Sequence, residues 1–409
     1  MALMQAPRYP TLMWRETAWN FVLKVFVVSR FFYLLAGGVL TGLVPVGWFQ
    51  RYTSDIPFGT LNLWAHFDGE NYISVAEYGY QELSYSTSSP AFFPLYPLLM
   101  RALAELFGGP VSQGALSVWG ILISLVTFLC ALWFVYRITE EGWGERAAQS
   151  AVLTLAFFPS AFFFNAVYTE SLFLMLSAGT VWAIRVRRDL LLACLLAGLA
   201  TATRNVGLFL LIPLAYEWWR ERRAYGWRVA YLALAPSGLL AYAAWLWWRF
   251  GDPLLFLNEQ AKWTRELSGP LSALQTAFGL AAESLRSLFD PTAYELYGFE
   301  GLFYVFSGTN PLYNLVFLLF AYAVLSLGVR WLPADLALYG FALVLAPVFF
   351  AASSNPLMSM PRFVLVAFPV FITLGILLKS RRVLVGWVAA SAVLSLALCL
   401  LFVNWHFVA

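Results

Sequence analysis

Apolar runs close to the roughly 18 residues needed to cross a bilayer recur along the whole chain, separated by short polar or basic turns. The first extends from about Trp19 to Leu43, and the second from Ala115 to Tyr136. After a mixed loop from Arg137 to Arg146, the chain re-enters near Ala147, turns between Asn165 and Thr169, and returns to Arg185, Arg187 and Arg188. A shorter hairpin follows, from Leu190 through Arg204 to Trp219. Further runs cover Val229 to Trp248, Leu312 to Val329, Asp335 to Phe350, Phe363 to Leu378 and Val383 to Trp405. Short strands alternating apolar with polar positions are not apparent, so the pattern predicts an all-α polytopic membrane protein of about eleven transmembrane helices rather than a β-barrel.

Basic residues orient this arrangement. An N-terminus in the cytoplasm, preceded by Arg8 and Arg15, puts three clusters on the cytoplasmic side: Arg185 to Arg188, Arg220 to Arg228, and Lys379 to Arg382. The same alternation sends residues 44–112, the turn at Asn165, the turn at Arg204, residues 251–310 and the turn SSNPLMSMPR to the outside. Residues 251–310 hold seven Asp or Glu against three Lys or Arg. They are too long for a plain connection and need structure of their own, and Leu274, Phe278, Ala281 and Leu285 have the spacing of a helix lying on the membrane. The hairpin from Leu190 to Arg204 is about 22 Å of helix, short of a hydrocarbon core of about 30 Å. Arg204 is therefore expected to be recessed and to need an anionic partner, a lipid phosphate being one.

Composition sharpens this picture without changing it. The 409 residues are 61% hydrophobic and 11% charged, where soluble domains carry roughly 25% charged residues. A net charge of +3 implies no nucleic-acid partner. The three cysteines, Cys130, Cys194 and Cys399, lie in apolar segments with no metal-type spacing and suggest neither disulfides nor a zinc site. The first apolar run is longer than a signal-peptide core and has no clear small-residue cleavage site, so it reads as a retained anchor. With no internal repeat and no low-complexity tract, residues 1–409 read as a single membrane domain.

One polar island interrupts the early chain, between Trp64 and Pro97. From Asp68 to Gly79 it reads as a short helix with Asp68 at the N-cap and glycine at the exit. A carboxylate in that place accepts backbone N–H groups and suits the positive end of the helix dipole, which makes a plain cap its simplest explanation. A second, amphipathic helix starts with Pro94 and Pro97 in its first turn and continues to Gly108. Phe92, Phe93 and Tyr96 look like aromatic anchors at the membrane interface. His66 and Glu70 are four residues apart and fall on one face if the helix begins early. One histidine with carboxylates lacks the ligand count of a zinc site, so no metal and no cofactor is predicted. A divalent ion held through water by Asp68 or Glu70 is compatible but not required.

The island and three later stretches together carry a resemblance. HFDGENYISVAEYGY followed by AFFPLYPLLMR resembles the first outer loop of the PIG-V-like mannosyltransferases, relatives of the enzyme that adds the second mannose of GPI anchors. NAVYTESLF, ATRNVGLF and SMPRFVLVAFP are similar to the same family, in the same order. His66 and Phe67 precede the acid where a Trp-Asp type context is expected. The resemblance implies a GT-C-like fold and an enzyme that takes sugar from a polyprenyl-phosphate carrier. It also implies that Asp68 matches the acid of the first outer loop that catalysis requires.

On that basis the expected reaction is an inverting glycosyl transfer, of mannose by resemblance, to a lipid- or glycan-borne hydroxyl at the outer face of the cell membrane. Asp68 would take the acceptor's proton. Arg204 and Arg362 would hold the donor phosphate with His66 as a further donor, since a guanidinium pairs bidentately with phosphate. Glu70, Glu170 and Tyr168 are placed in acceptor-binding or supporting roles, Glu170 either positioning the acceptor or pairing with Arg204. Arg362 could equally be a headgroup anchor, and Lys262 and Arg265 either a phosphate lid or a solvated face. Two other classes remain open: a transporter or lipid flippase with the same charges lining a path, which normally shows paired repeats, and an inactive scaffold, whose mark would be the loss of Asp68.

Overall fold

The computed structural model describes residues 12–47, 59–81, 89–109, 111–267, 269–289, 305–353 and 355–409. Arg8 and parts of the two outer segments, 48–58, 82–88 and 290–304, lie outside the described residues. Helix α1 (Leu12–Leu40) leads through a 3-10 turn (Gly59–Trp64) into the two island helices, α2 (Asp68–Tyr78) and α3 (Leu95–Leu106). Then come α4 (Gln113–Trp143), α5 (Glu145–Ala156), α6 (Glu170–Arg185), α7 (Leu190–Thr201) and α8 (Leu211–Arg220). The second half contains α9 (Ser237–Phe250), α10 (Pro270–Ser287), α11 (Pro311–Gly328) and α12 (Ala334–Phe349). It ends with α13 (Met360–Val366), α14 (Phe368–Leu377) and α15 (Arg381–Val403).

These boundaries follow the apolar runs closely, but eleven full-length spans are not confirmed. Among the described residues five helical runs are long and apolar enough to cross a bilayer: Ala18–Leu40, Gln113–Trp143, Arg222–Phe250, Pro311–Gly328 and Arg381–Val403. A sixth is counted if α13 and α14, bent by 71°, form one broken span. The α5 to α6 passage and the α7 to α8 hairpin are interrupted by 3-10 turns at Ala161–Asn165 and Asn205–Leu210. Broken backbone at membrane depth must be satisfied by protein. Arg30 does this for the first break: Nη1 donates to the Ala161 carbonyl (2.9 Å) and to Asn165 Oδ1 (2.7 Å), and Nη2 donates to the Ala156 carbonyl (2.9 Å). A buried cation against orphan carbonyls at a helix C-terminus is a stable pairing without any carboxylate.

The core is one large cluster, with a small second one of Phe93, Tyr242, Leu246 and Phe256. α4 and α6 are its axis, with α7 on the far side of α6, α5 against α4 and α14, and α11 packed between α10, α12, α13 and α14. Close approach at the axis depends on Gly120 of α4, where a Cβ would stand 2.6 Å from Val167 Cγ1. The outer helix α10 was expected to lie on the membrane through Leu274, Phe278, Ala281 and Leu285. It turns Ala273, Ala277, Ala281 and Ser284 inward, so Ala281 belongs to the protein-facing side, and Phe278 and Leu285 face out with Leu271. Small residues let the helix lie close to its neighbours, and the large apolar ones are left for lipid. One feature is not helical: Arg265–Leu267 (β1) pairs antiparallel with Phe350–Ala352 (β2), with Arg265 opposite Ala352.

Candidate functional site

Helix α2 starts at Asp68, but Asp68 is not its cap. Phe67 occupies the N-cap with φ 57° and no side chain bonds the free N–H groups there. The Asp68 carboxylate points across the site, where its Oδ2 accepts from Arg362 Nη1 at 2.5 Å. At the other end of α2 the expected glycine exit is present, Gly79 with φ 75°. The aromatic anchors are also corrected: Phe92, Phe93 and Tyr96 are buried rather than interfacial. Tyr96 donates its hydroxyl to the Gly120 carbonyl (2.8 Å) and meets Ser124 (2.8 Å), which fixes α3 to α4.

Three further connections assemble the site. The Val167 N–H donates to the Trp64 carbonyl (2.7 Å) and the Tyr168 hydroxyl to the His66 carbonyl (3.0 Å), docking the island on the turn before α6. The Leu95 N–H donates to the Ala202 carbonyl (3.1 Å), joining the start of α3 to the end of α7, two residues before Arg204. The Met360 N–H donates to Asn314 Oδ1 (3.0 Å), which ties the turn before Arg362 to α11. Residues separated by almost 300 positions thus meet because each lies at a helix end facing the same space.

Glu170, the first residue of α6, is the hub of the meeting. Its side chain is fully buried (0% exposed), and Oε1 accepts from Arg362 Nε at 2.7 Å and from Arg204 Nη1 at 3.0 Å. Arg362 therefore bridges Glu170 and Asp68, lying over the Tyr168 ring at 4.6 Å. Arg204 stands between Phe173 and Phe363 at 5.9 and 5.5 Å. Charged groups this far from water need such pairing, since an uncompensated one is strongly destabilising. Arg362 is only 8% exposed, whereas the Asp68 side chain is 26% exposed and has only Oδ2 committed.

A cavity of about 520 Å³ opens beside this network. Asp68, Glu70, Arg204 and Arg362 all line it, together with Arg265, Asn205 and aromatic walls that include Trp263, Trp405 and Phe407. Burial raises the Glu70 carboxyl to about 7. Arg265, held to the Met358 carbonyl (3.1 Å) by the short β ribbon, is the participant that sequence reasoning left undecided. Burial pulls its guanidinium down to about 10, against which the neighbouring Asp68 carboxylate pulls up, while Arg362 and Arg204 add like-charge repulsion. The companion Lys262 pairs with Glu259 instead. His66 is not brought to the cavity. Its imidazole stacks on Trp405 at 3.6 Å and meets the Phe402 carbonyl at 3.2 Å, and burial pushes it down to about 4, so it is neutral. Among the described residues no three His, Cys, Asp or Glu side chains converge in the manner of a metal site.

Fold and site define an integral membrane protein with two carboxyl groups and three guanidiniums facing one apolar-walled cavity. Residues 49–218 match the family model described as Mannosyltransferase (PIG-V). The match bears out the resemblance and does not favour the transporter or flippase alternative. Two curated relatives are both described as GPI mannosyltransferase 2. Those from Drosophila pseudoobscura pseudoobscura and Drosophila melanogaster are 29% and 30% identical over 115 residues, 26% of this chain and 24% of each relative. The alignment thus spans about a quarter of the length of the curated relatives. Among solved structures, the oligosaccharyltransferase of Archaeoglobus fulgidus in complex with Zn and sulfate is similar at 16% identity and a TM-score of 0.47, covering 94% of this chain and 53% of that one. ArnT from Cupriavidus metallidurans bound to undecaprenyl phosphate is 16% identical with a TM-score of 0.46, covering 91% and 63%.

Proposed function

We propose that the protein is an inverting glycosyltransferase that moves a sugar, mannose by its family match, from a polyprenyl-phosphate carrier to a hydroxyl of a lipid- or glycan-borne acceptor at the outer membrane face. The observation that carries this reading is the convergence of Asp68 with Arg204, Arg265 and Arg362 on one cavity inside an apolar bundle. In a single displacement the acceptor oxygen attacks the anomeric carbon, the carbon–oxygen bond to phosphate breaks, and its electron pair stays on the phosphate. Asp68 takes the hydroxyl proton through the oxygen not engaged by Arg362. The guanidiniums, already fixed by Glu170 and by backbone, meet the charge that grows on the leaving phosphate without having to reorganise. Tyr168 supports Arg362 from below its plane, and the aromatic walls suit an apolar lipid carrier. Because the donor brings its own activated leaving group, the chemistry needs no cofactor.

The test is mannose transfer from a polyprenyl-phosphate mannose in detergent, wild type against Asp68→Asn. A loss of roughly 10²- to 10⁴-fold in turnover by a folded variant is expected for removal of the base. Near-normal turnover would end the assignment.

A further inference from the structure

At the far end of α6 a second cavity has a composition that the transfer reaction does not use. Helix α6 runs 16 residues from Glu170 to Arg185, about 24 Å at 1.5 Å per residue, which separates its C-terminal end from the Asp68 cavity by most of the thickness of a hydrocarbon core. Around its C-terminal end a cavity of about 200 Å³ is lined by Arg185, Arg188, Arg220 and Arg228 with Glu217 and Glu221. Each acid there has an arginine beside it. Arg185 Nη2 donates to both oxygens of Asp335 (2.6 and 2.7 Å) and stands 2.9 Å from Glu217 Oε1, which accepts no hydrogen bond, and Arg220 lies 3.3 Å from Glu217 and 3.7 Å from Glu221. Among the described residues Arg188 and Arg228 have no ion-pair partner, although both face the cavity. Trp219 and Trp227, 61% and 74% exposed, stand on the same segment of chain. Indoles in that state belong at the level of lipid headgroups.

We propose that Arg188 and Arg228 form a binding site for the phosphate of an anionic phospholipid, on the membrane face opposite the Asp68 cavity. The headgroup phosphate supplies a counter-charge for Arg188 and Arg228, since the acids of the cluster lie beside Arg185 and Arg220. The Trp219 and Trp227 rings flank the glycerol and upper acyl region. Basic pockets between helices are well suited to such headgroups, and two arginines in planar contact select phosphate over the zwitterionic surroundings. This inference does not depend on the transferase reading.

The full chain, purified in phosphatidylcholine nanodiscs with and without phosphatidylglycerol, tests the site by native mass spectrometry of retained lipid and by thermal unfolding. Wild type is expected to retain phosphatidylglycerol and to unfold later in its presence. The pair Arg188→Gln with Arg228→Gln, which breaks no ion pair, should weaken retention roughly thirtyfold. Arg188→Lys with Arg228→Lys should keep most of it, and Arg381→Gln with Arg382→Gln, outside the cavity, should leave it unchanged. Equal retention by the Arg188 and Arg228 Gln pair, or an equal loss in the Arg381 and Arg382 control, overturns the site. If inorganic phosphate protects as well as phosphatidylglycerol, the ligand is a free phosphate and the lipid assignment falls.

Discussion

The two ends of α6 are built from the same parts and reach different results. At one end the fully buried Glu170 is clamped by Arg204 and Arg362, and at the other the fully buried Asp335 is clamped by Arg185. Each pairing is what a charge inside a membrane bundle requires. What separates them is what remains unspent. Near Glu170 the network ends in a partly exposed Asp68 and in Glu70, both carboxylates, facing a cavity with aromatic walls. Near Asp335 it ends in Arg188 and Arg228, which have no ion-pair partner among the described residues and line a smaller cavity. Ion pairs hold both ends together, and the surplus group at the edge decides whether an end can accept a proton or only an anion.

Arg362→Gln should break the comparison most severely, because it removes the bridge between Glu170 and Asp68. Transfer is expected to fall by more than about 10²-fold, and stability by about 3–5 kcal/mol, as a buried carboxylate loses one of two partners. Turnover and thermal unfolding of the same preparation check both. Activity that survives in a folded variant would mean that the network is only structural.

The unpaired carboxylate at the same end gives a pH signature. Burial raises Glu70 from an ordinary 4.5 to about 7, so between those values the folded protein keeps a proton that the unfolded chain has lost. The stability this contributes is complete below about 4.5 and declines as the pH rises to about 7. Glu70→Gln should remove that slope, so that unfolding midpoints of wild type and variant, measured from acid to neutral pH, diverge. Parallel curves would show that Glu70 is solvated. The smallest effect on transfer is expected from Arg185→Gln. It should destabilise the protein by about 3–5 kcal/mol by stranding Asp335, yet leave kcat/KM of the folded fraction within about twofold of wild type. A selective loss of kcat would join the two ends functionally and sink the distinction.

Much of this was legible along the chain because lipid imposes a simple rule on sequence. Apolar runs predict α11, α12 and α15 to within two residues and miss one end of α1 and of α4 by seven, since a helix crossing hydrocarbon has no polar alternative but can continue past it. Arg204 was marked by the shortness of its hairpin, and its anionic partner was foreseen. Pairing with Arg204 was one of two roles open to Glu170, and the sequence could not choose between them, because an ion pair between residues 34 positions apart leaves no periodic trace. Arg265 was missed as a firm candidate for a related reason: a three-residue ribbon has too little pattern to announce itself, and the ribbon alone brings that arginine to the cavity. His66 was overvalued, since a sequence gives its distance from Asp68 but not the direction of its ring.

The sequence by itself determined that this is a helical membrane protein, where most of its helices begin and end, and which few charges it keeps in apolar surroundings. Those follow from composition and local period, because the cost of burying polar groups is paid residue by residue. Only the tertiary structure decided that Asp68 is a partner of Arg362 rather than a helix cap, that Glu170 joins two arginines, and that one end of α6 faces a cavity while the other faces a basic rim. The physical reason is that pairing energy depends on distance and on exclusion of water, and both are fixed by packing between helices far apart in the chain.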